Sequence, residues 1–265
     1  MHFPNATSLL KTALPLLAFL PLANVSFSQQ ADSTKQILNF KGSVSATNNG
    51  FSLVPTFTLG KPAFVTMFNM SGKGRLSFEP EFRYSLEDFK PWSFIFIWRY
   101  KLVRQEKFQF SLGTHLPALN FITPRVVIDS VEQDIIKARR FFPVIEAIPN
   151  YRLSKNFTLS MYCQYGRGME KEVANNIYFI SLRPDFNNIP LSKQFFLRFN
   201  TQFYYLKIAK RDGFYVAGGL TLAKRGFPLS VSTFMNKVLQ TDIAGKDFDW
   251  NVSLVYSFDK KYVQQ

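Results

Sequence analysis

Residues 75–102 constrain the fold more than any other stretch. The first half reads Arg75-Leu76-Ser77-Phe78-Glu79-Pro80-Glu81-Phe82-Arg83-Tyr84. Its even positions are apolar or aromatic, with Pro80 uncharged, and its odd positions are charged or hydroxylic. From 92 to 102 one parity carries Trp92, Phe94, Phe96, Trp98, Tyr100 and Leu102. The other carries Ser93, Ile95, Ile97, Arg99 and Lys101. Successive side chains of a strand point to opposite faces, so each segment has one greasy and one wet face. A soluble two-sheet protein also alternates, but its core face is usually aliphatic and its strands shorter. An aromatic face about 10 residues long, bordered by Trp or Tyr, is what a strand needs to cross a membrane.

The pattern recurs along the chain. Phe51, Leu53, Pro55, Phe57 and Leu59 alternate with Ser52, Val54, Thr56 and Thr58, after the turn signal Asn48-Asn49-Gly50. Further alternating segments are predicted over 63–70, 108–115, 141–153, 157–165, 195–205, 214–222, 227–237 and 250–258, with a less regular one over 176–184. Residues 38–46 alternate weakly and leave three readings open: an extra strand at a rim, a plug, or a replacement for another segment. Residues 116–140 break the rhythm and form the longest expected connection, with a short helix or an extra hairpin over 131–137. Long connections of this kind often carry function.

Three connections share a pattern: Leu153-Ser154-Lys155-Asn156-Phe157, Leu191-Ser192-Lys193-Gln194-Phe195 and Leu222-Ala223-Lys224-Arg225-Gly226-Phe227. They are every second connection, and those between them are mostly longer. Short turns at one end and long loops at the other are the asymmetry of an outer-membrane barrel. Prolines 55, 80, 143 and 149 fall inside predicted strands. Each removes a ladder donor, so bulges or positions near a rim are expected there.

The N-terminus explains how such a chain is exported. Lys11 precedes an apolar run over 12–23 that is too short and too proline-broken to span a membrane as a helix, and Ser26-Phe27-Ser28 supplies small residues for cleavage. Residues 1–28 are therefore predicted to be a cleaved signal peptide. The net charge of +14 fits an anionic surface or solvated turns. The signal peptide excludes nucleic acid as a partner. The single cysteine, Cys163, excludes an intramolecular disulfide.

With these features the chain resembles the outer-membrane β-barrel proteins of Gram-negative bacteria over residues 50–258. Trp250, Val252, Leu254, Tyr256 and Phe258 look like the C-terminal assembly signal of that class, although residues 259–265 follow where many members end. The resemblance implies an all-β fold: a closed antiparallel transmembrane β-barrel of about 12 strands with short periplasmic turns and longer extracellular loops. It also implies insertion by the barrel-assembly machinery, contact with outer-membrane lipid and lipopolysaccharide, and location in the outer membrane. The expected divisions are a signal peptide (1–28), a lead-in (29–49), the barrel (50–258) and a periplasmic tail (259–265).

Facing follows from parity. Phe78, Phe82, Trp92, Phe94, Phe96, Trp98, Phe199, Phe203, Val252 and Leu254 are predicted to face lipid. Arg75, Glu79, Glu81, Arg83, Arg99, Lys101, Glu146, Arg152 and Arg198 are predicted to line the lumen, with Asn251, Tyr162, Tyr204 and Tyr215 also inward. A charge on the lipid face would cost about 2–4 kcal/mol, whereas one facing a wet lumen is not stranded. The favoured role for the inward acids is a charge ladder with the neighbouring bases. His115 is the sole histidine beyond the signal segment, which excludes a multi-histidine metal site. Ser111 lies about 13 Å along an extended strand from it, and no Gly-x-Ser-x-Gly elbow occurs. No cofactor signature is present. Three functions remain open: a narrow solute channel with a mildly anion-favouring lumen, a non-conducting surface or accessory barrel with a partner at the 116–140 loop, and a lipid-modifying enzyme.

Overall fold

The structure, a computed structural model, describes residues 37–128, 131–171, 173 and 176–263. The expected signal peptide and residues 29–36 lie outside the described residues. Twelve strands close into an antiparallel barrel. They are β1 (Ile37–Thr47), β2 (Ala63–Ser71), β3 (Leu76–Ser85), β4 (Pro91–Arg104), β5 (Phe108–Ile122), β8 (Lys137–Arg152), β9 (Phe157–Gly168), β10 (Ile177–Pro190), β11 (Phe195–Ile208), β12 (Arg211–Lys224), β13 (Leu229–Thr241) and β14 (Phe248–Val263). Between β5 and β8 a separate hairpin forms from β6 (Arg125–Ile128) and β7 (Val131–Asp134). The open choice over 131–137 is thereby resolved as a hairpin rather than a helix.

The barrel boundaries differ from those expected. The strand predicted over 51–59 does not form, and β1 takes its place. β1 pairs with β14 from Ile37↔Val263 to Thr47↔Ser253 and with β2 on its other side, which closes the sheet. The barrel therefore begins at Ile37 rather than residue 50. It ends at Val263 rather than Phe258, and Lys41 meets Asp259 of the supposed tail at 2.8 Å. Proline explains the exchange. Pro55 has no N–H to give a ladder, and it opens the 3-10 turn Pro55–Phe57 instead. Gly50 then lets the loop fold back. It bonds Lys61 O at 2.8 Å and accepts from the Leu59 and Gly60 amides, and a Cβ there would lie 2.8 Å from Ala63.

Pro80 and Pro149 sit within β3 and β8 without any bulge. β2–β3 pairing lapses between Met67↔Glu81 and Met70↔Phe78, opposite Pro80, and resumes in register. β8–β9 pairing lapses between Ala147↔Cys163 and Asn150↔Ser160, opposite Pro149. Each proline thus costs local ladder bonds and no change of register. Pro143 behaves as expected, lying in the irregularity between Phe141 and Val144.

The end bearing the start of β1 and the end of β14 carries the short turns 72–75, 105–107, 153–156, 191–194 and 225–228. The other end carries 48–62 (loop 1), 86–90 (loop 2), 123–136, 169–176, 209–210 and 242–247. By the asymmetry of such barrels the first end is periplasmic. The repeated turn motif makes repeated bonds. The amides of Leu153 and Ser154 donate to Phe157 O, and those of Leu191 and Ser192 to Phe195 O, all at 3.0–3.1 Å. Ser154 Oγ and Ser192 Oγ each accept the following Phe amide at 3.1 Å.

Outside, rings of adjacent strands pack into a belt: Phe78 on Trp98 with centroids 4.3 Å apart, Phe82 on Phe94 and Phe96, and Phe94 on Phe121. Trp98, Phe199, Phe203, Val252 and Leu254 are exposed on this surface. Among the described residues no helix is long and apolar enough to cross a membrane, and in lipid only a closed sheet leaves no strand edge unpaired.

Candidate functional site

Loop 1 enters the extracellular end of the lumen. Its Leu53, Val54 and Phe57 pack against a buried cluster that includes Phe141, Ile177, Phe179, Tyr204, Leu206 and Tyr215. Phe57 meets Phe141 edge to face at 5.0 Å, and Phe51 stacks on Phe234 at 5.8 Å. Trp92 Nε1 donates to Phe57 O at 2.7 Å. This corrects the facing predicted for Trp92, which is 4% exposed and inward. The register shifts between Arg83 and Tyr84, so Trp92 and Ser93 are both buried in succession. The indole N–H thereby finds an acceptor that lipid could not supply.

Below loop 1 an ionic network crosses five neighbouring strands. Glu79 of β3 accepts from Arg99 Nη1 of β4 and, at 2.8 Å, from Ser77 Oγ. Arg99 Nε donates to Glu146 of β8. Glu146 Oε2 also accepts Tyr162 Oη of β9 at 2.7 Å and lies 3.0 Å from His115 Nε2 of β5. The Glu146 side chain is fully buried. Space for it comes from Gly113 on β5, where a Cβ would lie 2.5 Å from Glu146 Oε1. The other ring nitrogen of His115 lies 3.5 Å from Gln164 Nε2. Ser111 is not among its partners. Among the described residues no three His, Cys, Asp or Glu side chains are grouped to hold a metal.

Between the network and loop 1 lies a chamber of about 520 Å³, bordered by Arg99, His115, Tyr162, Gln202, Phe234 and Asn251 among others. Glu81 and Arg83 border it too and are paired with each other, and Arg83 also lies over Trp92 at 5.0 Å. Glu79 and Glu146 stand at its wall through Arg99. Lys101, Arg152 and Arg198 continue the inward parity toward the periplasmic rim. None of these three makes an ion pair among the described residues, and Arg198 lies over Phe196 at 5.3 Å. Arg75 is placed otherwise. It precedes β3 and donates across the turn to Leu102 O at 2.7 Å, outside the chamber wall.

The sequence pattern passed over Arg183 of β10, which borders this space, and Asp185, which with Arg183 borders a further cavity of about 470 Å³. Inward Ile177 and Phe179 sit between exposed Tyr178, Ile180 and Leu182. With both faces apolar the two-residue period vanishes, although Arg183 and Asp185 themselves keep it.

A closed antiparallel barrel with an apolar outer belt and a polar interior is the fold of the outer-membrane β-barrels, and that fold places the chain in the outer membrane. Among solved structures the chain is similar to the KdgM porin, with a TM-score of 0.50 and 7% identity over 83% of this chain and 99% of that one. It is also similar to an outer membrane channel from Pseudomonas putida F1 (TM-score 0.48, 11% identity, 84% and 95% covered) and to the NanC porin (0.45, 9%, 86% and 100%). At such identities the likeness is one of fold. The sequence matches no protein-family model, and no curated protein matches it.

Proposed function

We propose that the barrel is a narrow outer-membrane channel for small solutes, constricted at its extracellular mouth by loop 1 and biased toward anions from its periplasmic end. The observation that carries this reading is the chamber of about 520 Å³ with ionic walls, held open beneath an apolar cap. About 8 strands give an interior just filled by side chains and 16–18 leave an open channel, so a 12-strand barrel has room that loop 1 partly takes up. The chamber charges are largely paired, so they contribute little bias. Among the described residues Lys101, Arg152 and Arg198 lack acidic partners, and a low-dielectric wall focuses their field on whatever enters from that end.

Planar-bilayer recording tests the reading. The native barrel gives small, reproducible conductance with a reversal potential favouring anions in a salt gradient. Replacing residues 51–59 by a Gly/Ser linker raises the conductance, and Arg152→Glu with Arg198→Glu lowers the anion preference. A correctly folded barrel with no conductance, native or relieved of loop 1, would instead favour the non-conducting accessory barrel, with the place to seek a partner narrowed from the expected 116–140 loop to the 123–136 connection, since 116–122 belong to β5 and 137–140 to β8.

A further inference from the structure

A second cavity, of about 280 Å³, lies at the extracellular mouth on the other side of loop 1. Thr56, Thr58, Lys61, Asp88, Lys90 and Arg139 border it. Its lysines are paired with carboxylates and its arginine is not. Lys61 and Lys90 share one carboxylate, Asp88, at 3.2 and 3.7 Å, and their other partners, Glu87 at 3.8 Å and Asp134 at 3.4 Å, are half exposed. Among the described residues Arg139 has no carboxylate partner. Its guanidinium donates to the neutral Asn120 Oδ1 and lies over the Phe57 ring at 5.7 Å, while its Nε is buried with no partner. A planar guanidinium fork matches the oxygens of a phosphate or carboxylate.

We propose that this mouth cavity is a binding site for the phosphate group of a small solute, with Arg139 as its principal donor and Lys61 and Lys90 as flanking charges. The Thr56 hydroxyl lines the same space and can donate to a remaining oxygen, while Thr58 Oγ1 is held by Ser52. Lys61 and Thr58 belong to loop 1, and Phe57 beneath the guanidinium is the ring that seats that loop in the lumen. A bound phosphate therefore ties loop 1 to β8. The site does not depend on whether the barrel conducts, because binding is read without conduction.

The test is isothermal titration calorimetry on the full barrel folded in an uncharged detergent, with inorganic phosphate as the probe at constant ionic strength. Saturable binding is expected, weakened at least about tenfold by Arg139→Gln. Arg139→Lys, which keeps the charge and loses the fork, should weaken it less. It also serves as the second variant if Arg139→Gln fails to show native strand circular dichroism. Lys155→Gln, in a periplasmic turn, should leave affinity unchanged. The same phosphate could be presented by a membrane lipid, so a parallel titration uses short-chain phosphatidic acid. Binding of that lipid but not of inorganic phosphate would overturn the assignment to a free solute. No saturation by phosphate, or equal affinity in the native barrel and both Arg139 variants, would overturn the site.

Discussion

Two walls of the same lumen are held together by different means. Across β3, β4, β5, β8 and β9 the inward side chains form an ionic chain centred on Glu146 and Arg99. Across β10, β11 and β12 they form a stack of rings, Phe179 on Tyr204 at 4.9 Å and Tyr204 on Tyr215 at 4.7 Å. Tyr204 Oη finishes that stack by donating to Asn236 Oδ1 of β13 at 2.8 Å, with Leu53 O of loop 1 at 3.3 Å. Each wall bonds sideways, strand to strand, rather than across the lumen. They differ in what they tolerate beside them. Rings leave an apolar surface that loop 1 can cover, whereas the ionic wall must keep polar space, and the chamber lies along it.

The comparison breaks most sharply at Glu146. Glu146→Gln removes the charge that Arg99, His115 and Tyr162 all face; Arg99 keeps Glu79, so the loss is that of charge-assisted hydrogen bonds, about 3 kcal/mol. Chemical denaturation of the folded barrel measures it. Arg99→Met in the Glu146→Gln background should cost less than it does alone, because part of what it removes is already gone. Costs of Glu146→Gln and Arg99→Met that simply add in the double variant would show that the ionic wall is not a coupled unit. Gly113→Ala tests the same wall without touching a charge. Its Cβ would fall 2.5 Å from Glu146 Oε1 and push the carboxylate off its partners, for about 1–3 kcal/mol. An alanine there with native stability would mean that the Glu146 carboxylate can shift without loss.

The strand count, the turn chemistry and the facing of Glu79, Glu81, Arg83, Arg99 and Glu146 were legible because a two-residue period survives wherever the inner face is polar. It fails where both faces are apolar, at Ile177 to Leu182, and where an irregularity inserts a residue, at Trp92. It also misleads where a loop alternates by accident. Residues 51–59 read as a strand, yet Pro55 within the run was a signal against a closed ladder. Residues 38–46 alternate weakly because Gly42, Val44 and Ala46 are small outward residues. Gly42 gives way to the neighbouring rings, since a Cβ there would lie 2.6 Å from Phe258. The mouth cavity could not be read at all, because loop 1, loop 2, β5 and β8 bring Lys61, Lys90, Asn120 and Arg139 together only in three dimensions.

On the apolar wall a truncation should cost less and move more. Phe57→Ala removes the ring that meets Phe141 and underlies Arg139, for about 2 kcal/mol of burial. The twelve-strand ladder does not run through residue 57, so the barrel should keep its strand content while loop 1 leaves the lumen. Limited proteolysis within 51–59 reports the release. A loop as protected as in the native chain, despite Phe57→Ala, would mean that Leu53 and Val54 seat it unaided.

The smallest effect belongs outside both walls, in loop 2. Hydrogen bonding from the Ser85 hydroxyl, ahead of Lys61 and the Lys90 amide, holds the Asp88 carboxyl down to about 2 from its ordinary 3.8, against the opposing pull of partial burial. A carboxyl depressed on folding contributes stability that is fully present above its unfolded value and lost as pH falls through its folded value. The Asp88 contribution should therefore be constant from neutral pH to about 4 and fade between 3.8 and about 2. The Asp88 side chain is 32% exposed, so salt should weaken the effect in part. Carboxyl NMR titration of the folded barrel reads the midpoint directly, and Ser85→Ala should raise it. A midpoint at or above 3.8 in the native chain would mean that Ser85 and Lys61 do not hold this carboxylate.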